Sequence, residues 1–302
     1  MPPRVPVRPA RPDLRCVGIV VHPARDISGP LGELRAWAER AHVTLVQVPV
    51  PGQTRQVAPA GDAADCELIV SIGGDGTMLA AIRVAMDSKL PVLGITCGSL
   101  GVLTRIAPGE VSVALGRFVA GEWSARQLGA LEIERPGRAP LVALNDVAVV
   151  RDGVGQIRVS AHVDGVLFGR LAGDGIILST GLGSSAYTLA AGGPLLASDT
   201  EGFVLTPLAT HGGDIPPLVV GSGSRVLLEV AQGFGGARLE VDGQIVDGVP
   251  ERLEVSLRTH VAEVIVFPGQ EPLLTVLRRR GIIADSPRIL AEDTRLGRDP
   301  GT

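Results

Sequence analysis

Five consecutive residues, Gly73, Gly74, Asp75, Gly76 and Thr77, have the composition of a phosphate-binding turn. They follow an apolar run typical of a buried strand, and a run with helical spacing comes after them. Glycines let the backbone approach phosphate oxygens, and the N–H groups at the start of a helix attract anions. A carboxylate such as that of Asp75 can orient an acceptor hydroxyl and take its proton during phosphoryl transfer. The alternative is a glycine-rich turn in which Asp75 only caps the helix.

Two further polar groups suggest a binding site for a hydroxyl compound. Asn145 and Asp146 place an amide beside a carboxylate, which together offer the donors and acceptors that ribose hydroxyls or a purine edge require. Taken alone, such a pair more often forms a turn. The later run Asp242, Gly243 and Gln244 is by itself typical of a hairpin turn.

A loop rich in Gly, Ser and Thr follows a short apolar strand near residue 176, and we expect a helix after it. Thr180, Ser185, Ala186 and Tyr187 lie in this stretch. Clustered backbone amides and hydroxyls can bind phosphate or a carboxamide, and Tyr187, the only tyrosine of the chain, can stack on a flat ring. A hairpin corner with a packed tyrosine is the alternative.

Strands and helices alternate in the first part of the chain, and this predicts a parallel sheet with right-handed crossovers. Ligands of such sheets gather at the carboxyl ends of the strands, where the Asp75 turn lies. The predicted strands cover residues 16–21, 43–50, 67–72 and 90–95, and the predicted helices cover residues 32–41 and 78–86.

After about residue 121 short strands with two-residue alternation dominate, punctuated by Gly and Asp-Gly pairs, which indicates an all-β domain. One of these predicted strands covers residues 143–150. We therefore predict a disordered arm at 1–14, an α/β phosphate-binding domain at 15–121 and an all-β substrate-binding domain at 122–270. Residues 271–302 are predicted to pack back on the N-terminal domain and to end in a frayed tail.

The composition excludes several classes of partner. The net charge is −4, and no run combines clustered arginines with aromatics, which argues against nucleic acid as a partner. No apolar stretch approaches the ~20 residues that a membrane span needs, and the first residues lack the apolar core of a signal peptide. The three cysteines follow neither a metal-binding nor a disulfide spacing. We expect a cytoplasmic protein.

In their order and spacing these segments resemble the NAD kinase family, over about residues 16–266. The combination is specific although no single piece is: GGDGT, Asn plus an acidic residue, the Gly-Asp-Gly strand with its GSSAY and AGGP loop, Leu-Thr-Pro followed by His211, and a late DGQ. The resemblance implies an α/β N-terminal domain with a parallel sheet, an all-β C-terminal domain and a site between them. It also implies a kinase that phosphorylates the adenosine 2′-hydroxyl of NAD from ATP or polyphosphate. A divalent metal, Mg²⁺, and a homodimer or homotetramer belong to the same expectation.

The resemblance also assigns roles to particular residues of this chain. Asp75 corresponds to the catalytic base, and no metal ligand is assigned. Gly73, Gly74, Gly76 and Thr77 correspond to the phosphate-binding loop. The residues that correspond to the substrate-binding set are Asn145, Asp146, Thr180, Ser185, Ala186, Tyr187 and Gln244.

The departures from the family pattern fall at the acceptor end. The family motif Gly-Ile-Asn has threonine in place of asparagine here, at Thr96. The family motif Gly-Phe-Leu has valine in place of phenylalanine here, at Val102. The usual Asn-Glu is shortened by one methylene at Asp146. A kinase of the same fold that acts on a nucleoside, a nucleotide or a lipid is therefore one alternative. A non-catalytic nucleotide-binding relative is another, and the retained Asp75 argues against it.

Overall fold

The computed structural model describes residues 9–98, 101–197 and 200–296. The chain divides into two compact units. Of the described residues, the first unit takes those within 9–84, 92–124 and 265–296, and the second takes those within 85–91 and 125–264. The first unit includes described residues of the C-terminal segment.

The elements are numbered in chain order. The helices are α1 Ser28–Ala41, α2 Asp75–Met86, α3 Val111–Val119, α4 Tyr187–Ala190, α5 Leu273–Arg279 and α6 Pro287–Leu296. The strands are β1 Cys16–Val21, β2 Thr44–Gln47, β3 Leu68–Gly73, β4 Pro91–Thr96, β5 Ser124–Arg135, β6 Arg138–Ala143, β7 Asp146–Arg151, β8 Ile157–Val163, β9 Val166–Gly173, β10 Gly175–Thr180, β11 Gly202–Leu208, β12 Leu218–Gly221, β13 Arg225–Ala231, β14 Ala237–Val241, β15 Gln244–Val246 and β16 Arg252–Val266.

In the first unit, the strands pair in parallel in the order β2-β1-β3-β4. All six residues of β3 and of β4 are buried, as continuous apolar runs are in sheets covered on both faces. Helix α3 was not predicted, although its buried residues Val111, Ala114, Leu115 and Phe118 have helical spacing. The parallel order brings the carboxyl ends of β1, β3 and β4 to one edge of the sheet.

The second unit is built from antiparallel sheets. One has six strands in the order β12-β11-β10-β7-β14-β15. The other strands pair as β16-β13-β8-β9, with β5 beside β16 and β6 beside β5. A single apolar cluster draws on both groups of strands, for example Val149 and Ile176 from the first and Leu228 and Val255 from the second. The predicted fold class, α/β with a parallel sheet plus all-β, is confirmed.

Two details of the sequence prediction differ from the structure. The strand predicted at 143–150 was wrong, because β6 ends at Ala143 and β7 begins at Asp146. Within the predicted arm 1–14, residues 1–8 lie outside the described residues. The N–H of Arg11 donates to the carbonyl of Val119 at 2.8 Å, and Leu14 is buried, so order begins before residue 15.

Candidate active site

The predicted phosphate-binding turn joins β3 to α2 at the carboxyl edge of the parallel sheet. β3 ends at Gly73 and α2 begins at Asp75. The carbonyl of Gly74 accepts a hydrogen bond from the N–H of Met78 at 3.0 Å, so the helix is wound from its first turn. The N–H groups of a first helical turn have no partner within the helix and carry partial positive charge. The turn therefore has the geometry of an anion site.

The glycine at position 73 is explained by its neighbour Thr77. A Cβ on Gly73 would lie 2.3 Å from Oγ1 of Thr77, which is buried. Gly76 is exposed and has open space around it. Thr77 therefore fills the space inside the turn, while Gly76 leaves the outer side of the turn clear for a ligand.

The carboxylate of Asp75 holds the loop that follows β4. It accepts hydrogen bonds from the backbone N–H groups of Val102 at 2.9 Å, Leu103 at 2.9 Å and Thr104 at 3.2 Å. A Cβ on Gly101 would lie 2.2 Å from Oδ1 of Asp75, so this position has to be glycine. The Asp75 side chain is still 34% exposed. The carboxylate is thus fixed in one orientation and still accessible.

Two arginines connect Asp75 and its loop to the C-terminal segment. Nη1 of Arg280 lies 3.8 Å from Oδ2 of Asp75. Arg105 donates from Nε to the carbonyl of Val102 at 3.2 Å and from Nη1 to that of Glu271 at 2.6 Å. Neither arginine was predicted as part of the site. Arg280 in particular lies about two hundred residues from the turn in the sequence.

A cavity of about 440 Å³ borders the turn within the first unit. Gly74, Asp75, Gly76 and Thr77 line one side of it. Arg25 lies on another side: its Nη1 would be 4.0 Å from a Cβ on Gly74. The cavity therefore combines helix N–H groups with one guanidinium, which is the pairing that phosphates favour.

The backbone that carries Arg25 is held by several hydrogen bonds. Nδ1 of His22 accepts from the N–H of Ala24 at 3.1 Å and from that of Arg25 at 3.0 Å. Nη1 of Arg55 donates to the carbonyl of His22 at 3.0 Å and to that of Arg25 at 2.6 Å. Burial and the charges of Arg25 and Arg55 lower the pKa of His22, so the imidazole is neutral at neutral pH. His22 was not predicted as part of the site.

In the second unit, Asn145 and Asp146 lie at the break between β6 and β7. The carboxylate of Asp242 accepts from the N–H groups of Leu144 at 2.9 Å, Asn145 at 2.6 Å and Asp146 at 3.0 Å. Asn145 is half-buried and Asp146 is 6% exposed. The pair therefore lies at a bend between two strands, as the alternative of a turn has it, but its side chains are largely shielded from solvent.

The side chain of Asp146 has an unusual acidity. Burial, followed by the charges of Asp242 and Glu240, raises the pKa of Asp146 to about 6. A carboxyl that titrates there changes charge just below neutral pH. Strongly perturbed carboxyls of this kind concentrate at functional sites.

Thr180 and the loop after β10 pack directly against the Asn145 backbone. Oγ1 of Thr180 donates to the carbonyl of Leu144 at 2.7 Å and accepts from the N–H of Gly183 at 3.1 Å. A Cβ on Gly183 would lie 2.0 Å from the carbonyl oxygen of Asn145. The structure thus gives Thr180, which is buried, a supporting contact beneath the pair.

Tyr187 lines a second cavity of about 570 Å³, within the second unit. Its ring is 37% exposed, and it is the first residue of α4, the short helix expected after this loop. Arg151 and Asp174 form an ion pair across the same cavity, with Nε and Oδ1 2.6 Å apart, and Arg238 also lines it. Of these residues, only Tyr187 was predicted as part of the site.

The other predicted substrate-binding residues lie nearby in the second unit. Oγ of Ser185 donates to the carbonyl of Leu182 at 3.1 Å, and Ala186 is exposed next to Tyr187. Gln244 is exposed and lies opposite Val241 in the hairpin that Asp242 begins.

Within residues 9–98, 101–197 and 200–296, no three acidic, histidine or cysteine side chains come together as a metal site. None of the helices in the same ranges is both long and apolar enough to cross a membrane.

The fold and the site define a nucleotide-binding protein of the phosphotransferase class: a glycine-rich anion site with a fixed carboxylate in an α/β unit, and a polar pair in a β unit. Residues 17–123 match the family model of the ATP-NAD kinase N-terminal domain, and residues 144–268 match that of the C-terminal domain. The chain belongs to the NAD kinase family, as predicted from its motifs.

Individual relatives support this assignment. An NAD kinase from Heliobacterium modesticaldum is 37% identical over 225 residues, which cover 71% of this chain and 78% of the relative. One from Acidobacterium capsulatum is 32% identical over 281 residues, covering 88% and 98%. The protein is therefore a phosphotransferase whose acceptor is an alcohol group.

Two solved structures share the fold. A yeast NADH kinase complexed with NADH has a TM-score of 0.76 at 19% identity, over 90% of this chain and 89% of that one. An NAD kinase from Archaeoglobus fulgidus in complex with ATP has a TM-score of 0.68 at 24% identity, over 89% and 100%.

Proposed function

We propose that this protein transfers the γ-phosphoryl group of ATP to the adenosine 2′-hydroxyl of NAD, giving NADP. Inorganic polyphosphate is the alternative donor. The observation that carries the proposal is the Asp75 carboxylate, held by three backbone N–H groups at the wall of a cavity that the glycine-rich turn lines. The names of the relatives, NAD kinases from two bacteria, support NAD as the acceptor.

The donor phosphates bind in the 440 Å³ cavity of the first unit. Gly74, Gly76 and Thr77 line this cavity and would bind the phosphates through their N–H groups, and Arg25 would supply the positive charge that a lysine supplies in P-loop enzymes. Mg²⁺ in kinases keeps several waters and binds the phosphates of the substrate, so it would enter this cavity together with the nucleotide. A bound Mg²⁺ would neutralise charge on the phosphates.

The acceptor binds to the second unit. Asn145 and ionised Asp146 offer a donor and acceptors for the ribose hydroxyls or the adenine edge of NAD. Tyr187 provides a flat surface for a ring, while Ser185, Ala186 and Gln244 complete the contacts. Thr180 supports Asn145 from below. Asp75 takes the proton of the hydroxyl that receives the phosphoryl group.

Arg25→Ala is expected to raise the KM for ATP by roughly tenfold to a hundredfold, because hydrogen bonds between charged partners contribute ~1.5–3 kcal/mol. The KM for NAD should change less than about twofold, since NAD binds elsewhere. Initial rates at varied ATP and varied NAD measure both constants. The matched control is Arg40→Ala, an exposed arginine at the end of α1. An unchanged KM for ATP in Arg25→Ala would exclude this arginine from donor binding.

The proposed activity is tested with purified protein, ATP, Mg²⁺ and NAD, with NADP detected by an NADP-specific dehydrogenase. NADP should form, and a parallel reaction with polyphosphate defines the donor. If neither donor yields NADP, the function proposed for this protein is wrong.

The proposal includes the assembly that the family resemblance implies and the location expected from the composition. The protein forms a homodimer or homotetramer in the cytoplasm, and it has no nucleic-acid partner. Light scattering of the purified protein at assay concentration measures its molar mass. A fully active protein with the mass of a monomer would contradict the proposed assembly.

A further inference from the structure

Asp242 ties the hairpin between β14 and β15 to the Asn145–Asp146 pair. Both turn residues have positive φ, 48° at Asp242 and 74° at Gly243, as the tight two-residue hairpin turn requires. The carboxylate accepts from the N–H groups of Leu144, Asn145 and Asp146, at 2.6–3.0 Å. The N–H of Asp242 in turn donates to the carbonyl of Asp146 at 2.9 Å.

These contacts take the place of the strand-to-strand hydrogen bonds between the end of β6 and the start of β7. Leu144 and Asn145 lie between the end of β6 and the start of β7. Leu144 is fully buried, and a buried N–H without a partner costs ~1–3 kcal/mol. One carboxylate satisfies three successive N–H groups, and hydrogen bonds to an ionised acceptor are roughly twice as strong as neutral ones.

The contacts also place a second carboxylate beside Asp146. Its charge is one cause of the raised pKa of Asp146, after burial and before Glu240. Tyr187 also interacts electrostatically with Asp146, and Tyr187 lies near Arg238 and Asp174 as well. Asp242 thus adds negative charge beside a carboxyl that titrates near neutral pH.

We propose that Asp242 is a positioning residue for NAD: it fixes the backbone of residues 144–146, so that Asn145 and Asp146 meet the substrate in a set orientation. The inference rests on the proposed function, since it concerns the same acceptor site. Asp242 itself does not touch the substrate.

The test is Asp242→Asn, with Asp164→Asn as a matched control. Asp164 begins the same kind of turn, with φ values of 50° there and 81° at Gly165, and its carboxylate accepts from the N–H of Arg225 at 2.9 Å. An asparagine keeps one acceptor oxygen, so at least one of the three bonds is lost. Asp242→Asn should raise the Kd and KM for NAD by about tenfold or more, the effect of a single charge-assisted bond. The KM for ATP should stay within about twofold, and Asp164→Asn should change neither constant.

The pH dependence separates positioning from general destabilisation. In Asp242→Asn the midpoint of NAD binding against pH should move to lower pH, because one negative charge beside Asp146 is gone. Calorimetric NAD binding reads this shift even if no NADP is formed. If Asp242→Asn does not fold, Asp242→Glu keeps the charge and moves the oxygens, so NAD affinity should fall while the midpoint stays.

The outcomes distinguish the two proposals. A wild-type protein that binds NAD but makes no NADP refutes the proposed function alone. An active wild-type protein in which Asp242→Asn binds NAD as tightly as Asp164→Asn does overturns the positioning role of Asp242. A parallel rise in the KM for ATP, or an unshifted midpoint, overturns it as well.

Discussion

Asp75→Asn is expected to lower kcat by roughly 10²–10⁴, which is the usual contribution of a positioned general base. The asparagine retains one oxygen that can accept from the N–H groups of Leu103 and Thr104, so the loop after β4 keeps most of its support. The KM for ATP should change little, because the donor phosphates bind to helix N–H groups and Arg25. The loss should therefore appear in kcat and in kcat/KM together.

Steady-state rates of NADP formation measure this effect. The control is Thr104→Val, which removes the 3.3 Å hydrogen bond from Oγ1 to Asp75 and leaves the carboxylate in place. Thr104→Val should lower kcat by less than about tenfold, which corresponds to the net contribution of one hydrogen bond. Turnover of Asp75→Asn within about threefold of wild type would leave Asp75 with only the structural role of holding its loop.

Asp146→Asn is expected to weaken NAD binding and to stabilise the fold at neutral pH. The folded protein raises the pKa of Asp146 above its ordinary value of 3.8 to about 6. In a group of this kind the folded state binds the proton more tightly than the unfolded state does. The protonated side chain of Asp146 therefore stabilises the fold below pH 4, and this contribution to the free energy of unfolding is lost as pH rises through 6. Above pH 7 the ionised, buried carboxylate costs roughly 1–3 kcal/mol, which the neutral amide avoids.

Thermal or urea unfolding between pH 4 and pH 8 measures the difference between wild type and variant. The advantage of Asp146→Asn should grow from pH 4 to about pH 6 and then level off. Asp164→Asn should show the opposite sign, because backbone hydrogen bonding lowers the pKa of Asp164 and its ionised form is favoured in the fold. A difference that does not vary with pH would show that Asp146 is not perturbed. NAD affinity that is unchanged in Asp146→Asn would remove Asp146 from the acceptor site.

The phosphate-binding turn could be predicted because everything that shapes it is local in sequence. An apolar strand, glycines and a helix, all within residues 68–86, place Gly74 and Thr77 at the carboxyl edge of the sheet. The hydrogen-bond partners of the Asp75 side chain could not be predicted in the same way. Its partners, the N–H groups of residues 102–104, belong to a loop nearly thirty residues away whose backbone carries no chemical signature.

The parts that could not be predicted depend on long-range contacts. A continuous strand was expected through Asn145, because apolar residues flank the Asn145–Asp146 pair on both sides. The break arises from Asp242, about a hundred residues later, and a sequence pattern does not reveal which carboxylate will capture which backbone. Arg25 and Arg280 were missed for the same reason. A lone arginine in a loop or near a chain end resembles many surface arginines.

The most direct test of phosphoryl transfer to NAD is an acceptor screen with γ-labelled ATP and Mg²⁺. NAD, NADH, nucleosides, nucleotides and a lipid alcohol are offered separately and then together, with Asp75→Asn as the blank. The label should appear in the 2′-phosphate of the dinucleotide, and with Asp75→Asn its rate of appearance should fall by about a hundredfold or more. Label that appears only in another acceptor, or equally with Asp75→Asn, would contradict the function proposed for this protein.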